Sequence, residues 1–187
     1  MPSPSFTVPG MSVKDASQVI DHLQDRLVAL IDLQLTLKHV HWNVVGPTFI
    51  GVHQMIDPQV DAVRVMVDEV AERIATLGGS PDGLAGNIVK TRSWDDYELG
   101  RADVLAHLGA LDQVYDGVVS SHREVIDALD PLDKVTQDLL IGAAAQLEQF
   151  HWFIRAHLEN EGGRLSTQDA GSEREAAVAA STPGGNG

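Results

Sequence analysis

The stretch from Val52 to Gly79, VHQMIDPQVDAVRVMVDEVAERIATLGG, decides the fold. Val52, Ile56, Val60, Val63, Val67, Val70, Ile74 and Leu77 recur at threes and fours, the spacing of one apolar stripe on an α-helix. Gly78-Gly79 stops the pattern, since glycine takes up the left-handed backbone that closes a helix. Pro58 lies inside the stripe. Its ring removes one backbone donor, which predicts a kink or one loosened hydrogen bond.

Upstream, Ser12 with Asp15 three residues on marks a helix start, the carboxylate facing the positive helix end. Ala16, Ile20, Leu23, Leu27, Leu30 and Ile31 carry that helix towards Asn43. Gly46-Pro47 breaks it, and Thr48 is placed to cap the next one. Downstream, a Gly/Pro-rich connection over about 79–95 has room for a short helix near Leu84 to Lys90. A third long helix follows on Val104, Leu108, Leu111, Tyr115, Val118, Val125 and Leu129, and Asp130-Pro131 stops it. A fourth uses Val135, Leu139, Ala143, Leu147, Phe150, Ile154 and Leu158, and Gly162-Gly163 closes it. Four long amphipathic helices without a strand signal predict an all-α four-helix bundle over residues 12–165. The long connection is either a crossover or a decorated hairpin loop. Residues 1–11 hold three prolines after Met1 and no charged side chain, which predicts a flexible arm. Residues 166–187 have few large apolar side chains and predict a disordered tail.

The chain has 187 residues, enough for one domain with a sizeable core. Its 27 acids against 13 bases give a formal charge of −14, which repels nucleic acid and anionic membranes and suits metal cations. It holds no cysteine, so disulfides and thiolate metal sites are excluded. The most apolar run, Leu27 to Leu37, is interrupted by Asp32, and nothing reads as a membrane span. A cytoplasmic location is the expectation.

Chemistry concentrates in His41, His53, Asp57, Asp68 and Glu72, the imidazoles and carboxylates that suit iron. Asp68 and Glu72 are four apart, so both point the same way from adjacent turns, and His53 with Asp57 repeats the arrangement. At 1.5 Å per residue, His53 and Asp68 stand about 22 Å apart along one axis. One chain therefore cannot close both halves on one metal. Pairing the helix antiparallel with its copy around a two-fold axis brings the histidines of each chain to the carboxylates of the other. The alternative is an intrachain di-iron site, which needs two Glu-x-x-His motifs; the sequence has one, Glu148-x-x-His151. Taken alone, Asp68 and Glu72 read as a solvated helix face and His53 as a surface or capping residue. His22, His39, His107, His122, His151 and His157 read as surface or core residues, and Asp61 as solvated. Trp42 and Trp152 read as core or interface aromatics, with a redox role second.

These residues resemble the Dps family, the miniferritins. The matching stretches are His41-Trp42-Asn43-x-x-Gly46-x-x-Phe49-x-x-x-His53, then Asp57, then Asp68-x-x-Ala71-Glu72-Arg73-Ile74-x-x-Leu77-Gly78-Gly79-x-Pro81. Gln137-Asp138-Leu139-Leu140 and Phe150-x-Trp152-Phe153 extend the likeness, which covers about residues 12–165. The resemblance implies a ferritin-like bundle with a short helix in its second connection, assembled through two-fold dimers into a hollow dodecamer. It implies a ferroxidase with a two-iron site at the subunit interface. His41, His53, Asp68 and Glu72 would be catalytic ligands, with Asp57 a further one. Ferrous ions would be oxidised by hydrogen peroxide, in preference to dioxygen, and stored as ferric mineral, protecting against oxidative stress. Acidic three-fold pores would admit iron, with Asp138 the best match and Asp127 and Asp133 beside it. Trp42, adjacent to a ligand, and Trp152 are candidate radical traps.

The chain departs from the family on DNA. DNA-binding members carry basic tails, whereas this arm has no Lys or Arg before Lys14, and the tail sets Arg174 against Asp169, Glu173 and Glu175. Binding driven by counterion release then predicts weak DNA affinity. Nucleoid compaction is the alternative function.

Overall fold

The computed structural model describes residues 4–160 and 162–182. Four long helices make the bundle: α1 (Val13–Asn43), α2 (Phe49–Thr76), α4 (Val104–Leu129) and α5 (Lys134–Leu158), with the short α3 (Ala85–Thr91) between α2 and α4. Helix α1 packs on α2, α4 on α5, and α4 on α1. The predicted stripes face inward apart from Val135, which is exposed at the start of α5: Leu23, Leu27, Leu30, Val63, Val70, Ile74, Leu111, Tyr115, Leu147 and Ile154 are all buried in one core.

Helix termini follow the sequence signals in part: α5 ends at Leu158, ahead of the Gly162-Gly163 expected to close it, and the caps at Asp103 and Asp133 were not read from the sequence. Ser12 accepts from the Asp15 backbone N–H, and Asp103 and Asp133 cap α4 and α5 in the same way. Thr48 occupies the N-cap of α2 but makes no side-chain capping bond. Pro58 leaves α2 unbroken.

Two strands of two residues each, β1 (Val44–Val45) and β2 (Ala102–Asp103), pair in parallel. Such short segments carry no alternation for a sequence to display. They settle the long connection. The C-terminal end of α1 lies beside the N-terminal end of α4, whereas the short α1–α2 turn sends the end of α2 to the opposite end of the bundle. The segment after Leu77 therefore travels back along the whole bundle, and it is a crossover.

Both ends of the chain differ from expectation. In the described part of the arm Pro4 is buried, and Val8 and Met11 pack against the core. Gly78 permits this contact: it has φ +88°, and a Cβ there would overlap the Phe6 carbonyl oxygen. At the other end, the expected disordered tail contains α6 (Glu173–Ser181), capped by Ser172 and packed along α4. Ala176, Ala177 and Ala180 are buried there, and a Cβ at Gly109 would strike the Ala176 carbonyl. Alanines bury little area each, so the helix gives no large-residue stripe, but small side chains on both helices let the backbones close in. Residues 1–3 and 183–187 lie outside the described residues.

Candidate functional site

The turn between α1 and α2 folds His41 and His53 onto each other. Their rings stack with centroids 3.6 Å apart and planes 23° from parallel. The Nδ1 of His41 meets the His53 carbonyl at 3.0 Å, and the Nδ1 of His53 meets the His41 carbonyl at 2.9 Å. A carbonyl only accepts, so each Nδ1 carries a proton, and in the neutral ring Nε2 is then the nitrogen with the lone pair. Neither Nε2 has a hydrogen-bond partner among the described residues, and neither is among the fully enclosed polar atoms. This is the tautomer and the second bond with which a metal-ligating histidine is fixed.

Asp57 joins the same half. Its Oδ1 stands 3.2 Å from His41 Nδ1 and accepts from Lys38 Nζ at 2.9 Å, a bond that holds the carboxyl below its ordinary range. It thus lies on the Nδ1 side of His41, whereas the lone pairs are at Nε2. Lys38 was not legible as a site residue, although it sits one turn before His41 on α1. Its ammonium also lies 5.8 Å from the Trp42 ring centroid.

Asp68 and Glu72 lie on the exposed side of α2 with no ion-pair partner among the described residues. They stay on the same unbroken helix as His53, and no three His, Asp or Glu side chains among the described residues converge as a metal site within the chain. Glu72 and Asp138 border one groove between α2 and α5, with Glu69 and Gln146 beside them. Asp127 is exposed. Asp133 is otherwise engaged: it caps α5 and pairs with Arg73 Nη2 at 2.7 Å.

Glu148 and His151 do not share a site. Glu148 pairs with Arg123 at 2.6 Å, while His151 turns Nε2 inward to Asp112 at 2.6 Å. Asp112 also accepts from Arg155 Nε at 3.0 Å and Thr167 Oγ1 at 2.5 Å. Burial raises the Asp112 carboxyl, but the bonds from His151, Thr167 and Arg155 outweigh it and bring it to about 2. Trp42 and Trp152 are not core residues, at 71% and 61% exposed.

An antiparallel pair of hairpins joined by a crossover is the architecture of the ferritin-like class, and the ferritin-like domain family matches residues 20–162. The DNA protection during starvation protein of Mycolicibacterium smegmatis is 60% identical over 173 residues, covering 92% of this chain and 94% of that one. Among solved structures, Mycobacterium smegmatis Dps superposes with a TM-score of 0.88 at 60% identity, covering 91% of this chain and 97% of that chain. DpsA14 from Streptomyces coelicolor gives 0.86 at 60% identity, covering 87% and 97%. The chain belongs to the Dps family of ferritin-like proteins.

Proposed function

We propose that this protein is a ferroxidase and iron store, with ferrous iron as its substrate. The observation that carries the reading is the reciprocal bonding of His41 and His53. It presents two unprotonated Nε2 atoms side by side, neutral donors suited to a ferrous ion. Asp68 and Glu72 of a second copy, brought over by a two-fold axis through α2, supply the carboxylates that stabilise the ferric product. Membership of the Dps family supports this arrangement and the closed dodecamer built from such dimers. So does the apolar surface that Leu35, Trp42 and Val89 leave exposed on α1 and α3.

In the reaction a pair of ferrous ions each gives one electron to hydrogen peroxide. Its O–O bond breaks, and two protons complete two waters. The ferric product is stored as mineral inside the shell, so peroxide and ferrous iron are removed together and hydroxyl radical is not released. Dioxygen is the slower oxidant. Asp57 is a further ligand from the histidine side, with Lys38 setting its position. Asp138 and Asp127 line the iron entry, and Trp42 intercepts stray radical electrons, with Trp152 a second trap. The protein works in the cytoplasm; no described helix is long and apolar enough to cross a membrane.

The test is anaerobic. Ferrous iron is loaded into the apoprotein, peroxide is added, and ferric absorbance is followed with the peroxide consumed. Rapid oxidation at about two irons per peroxide, lost on replacing Asp68 and Glu72 by alanine, is the expected result. Oxidation no faster than in buffer ends the proposal. Nucleoid compaction is the second reading, since relatives are named for DNA protection during starvation, which either activity could give; a gel shift at low salt separates the two, and the acidic chain is expected to leave DNA unshifted.

A further inference from the structure

Tyr97 and His107 form a hydrogen-bonded pair that belongs to neither half-site. Tyr97 lies in the crossover and is half-buried, while His107, on α4, is fully buried. The phenol oxygen stands 3.0 Å from His107 Nδ1, with the two rings 9° from parallel. That hydroxyl makes no other hydrogen bond among the described residues, so it donates and Nδ1 accepts. Burial lowers the imidazole below its ordinary range and keeps it neutral, while the backbone of Asn43 and Gly100 favours an arriving proton. Burial, with Glu173 nearby, pushes the phenol up, so it does not ionise beforehand. An electron therefore leaves this phenol together with its proton, and His107 is the base in contact.

The second of the two tyrosines supplies the contrast. Tyr115 is fully buried and donates to Gln59 Oε1 at 2.6 Å. An amide oxygen accepts that bond but does not take the proton. Only Tyr97 is built to lose an electron and regain it. It also faces the iron chemistry: Tyr97, His39 and Trp42 border one groove, and the His39 ring meets Tyr97 edge-on with centroids 5.8 Å apart. Trp42 follows His41 directly in the chain.

We propose that Tyr97, with His107 as its proton acceptor, is a reversible one-electron donor to peroxide when a single ferrous ion is bound. The proposal rests on the ferroxidase reading. One electron comes from the ferrous ion and one from the phenol, by way of Trp42. The O–O bond breaks and two solvent protons complete two waters, so no hydroxyl radical is left. The phenol O–H proton moves to His107 Nδ1, leaving a neutral phenoxyl radical beside an imidazolium. A later ferrous ion returns the electron and His107 returns the proton, which keeps the total at two irons per peroxide.

Electron paramagnetic resonance on the full-length assembled protein tests this in two arms. In one, a photogenerated ruthenium(III) complex oxidises the iron-free protein. In the other, peroxide is added to protein loaded anaerobically with one ferrous ion per two-iron site. Each is expected to give a tyrosyl signal that is absent in Tyr97→Phe and kept in Tyr115→Phe. The signal falls at least about tenfold in His107→Gln, which keeps a hydrogen-bond acceptor but not a base. The comparison of the two tyrosine variants stands even where H107Q does not fold. Further ferrous iron erases the signal in the second arm. No Tyr97 signal with ruthenium, or one indifferent to H107Q in folded protein, overturns the proposal whatever the iron does. Ferric absorbance without a Tyr97 radical overturns it and leaves the ferroxidase standing. A radical in the first arm with no ferric absorbance in the second overturns the ferroxidase reading, and the donation to peroxide with it.

Discussion

Two histidines in this molecule stand near carboxylates on helices, and they do opposite things. His53 commits Nδ1 to a backbone carbonyl and keeps Nε2 free, beside its twin His41. His151 commits Nε2 to Asp112 inside the bundle, where Arg155 and Thr167 complete the bonding. Both sit in sequence patterns that suggest a metal site, His53 in the His41…His53…Asp57 set and His151 in a lone Glu-x-x-His. The comparison teaches that a histidine is classified by which nitrogen remains unbonded, and sequence spacing does not report that.

The sharpest way to break the comparison is to damage each group and measure both iron oxidation and melting. Alanine at Asp68 and Glu72 is expected to bring peroxide-driven oxidation down to the buffer rate while the melting temperature stays within a few degrees, because exposed side chains contribute little to stability. Equal loss of both would erase the distinction. Asp112→Ala is expected to do the reverse. It strands a buried histidine and an arginine and costs about 3 kcal/mol, lowering the melting temperature by roughly 6–12 °C in a chain of this size. An unchanged melting curve would show that the network is not structural.

The pH dependence sharpens the contrast from another direction. His122 is buried, and desolvation, with Arg26 facing it from α1, lowers it from 6.5 to about 4. The unfolded chain therefore binds a proton that the folded chain refuses. Stability is complete above about 6.5 and declines as pH falls through that value towards 4, by up to about 3 kcal/mol. His122→Leu removes an imidazole whose Nε2 lacks a partner, so it is expected to be near neutral at pH 7 and to flatten the decline between pH 7 and 5. The Asp112 carboxyl, held at about 2 against 3.8 unfolded, adds a later loss of about 2 kcal/mol as pH falls from 3.8 to 2. The smallest effect is expected for Lys38→Met: a slower oxidation, by about tenfold at most, with His41 and His53 still stacked. No change at all would remove Lys38 from the site.

Much of this was legible in the chain. Periodicity located all four long helices, since burial of a stripe dictates where apolar residues recur; the length of the connection left room for α3, and Ser12 marked the capped start of α1, whereas the Asp133 cap of α5 was not read. The histidine and acidic halves were visible in type and spacing, and the rise per residue alone separated them. What stayed hidden is non-local or small. The Asp112–Thr167 bond joins residues far apart in sequence. Helix α6 docks through alanines whose burial leaves no pattern of large side chains, and Phe6 reaches Gly78 through backbone. The stacking of His41 on His53 depends on one tight turn, and no spacing rule yields which ring nitrogen it turns outward.

The parallel pairing of Val44–Val45 with Ala102–Asp103 bears on how the chain finds its shape. Those four residues close a loop containing a whole helix and the crossover, at an entropic cost of about 4 kcal/mol if the loop were slack. The α1–α2 hairpin is local and can form first, after which most of that loop is already rigid. Refolding then has an order built into it, and the late step is the return of the crossover to the end of the bundle that holds His41 and His53.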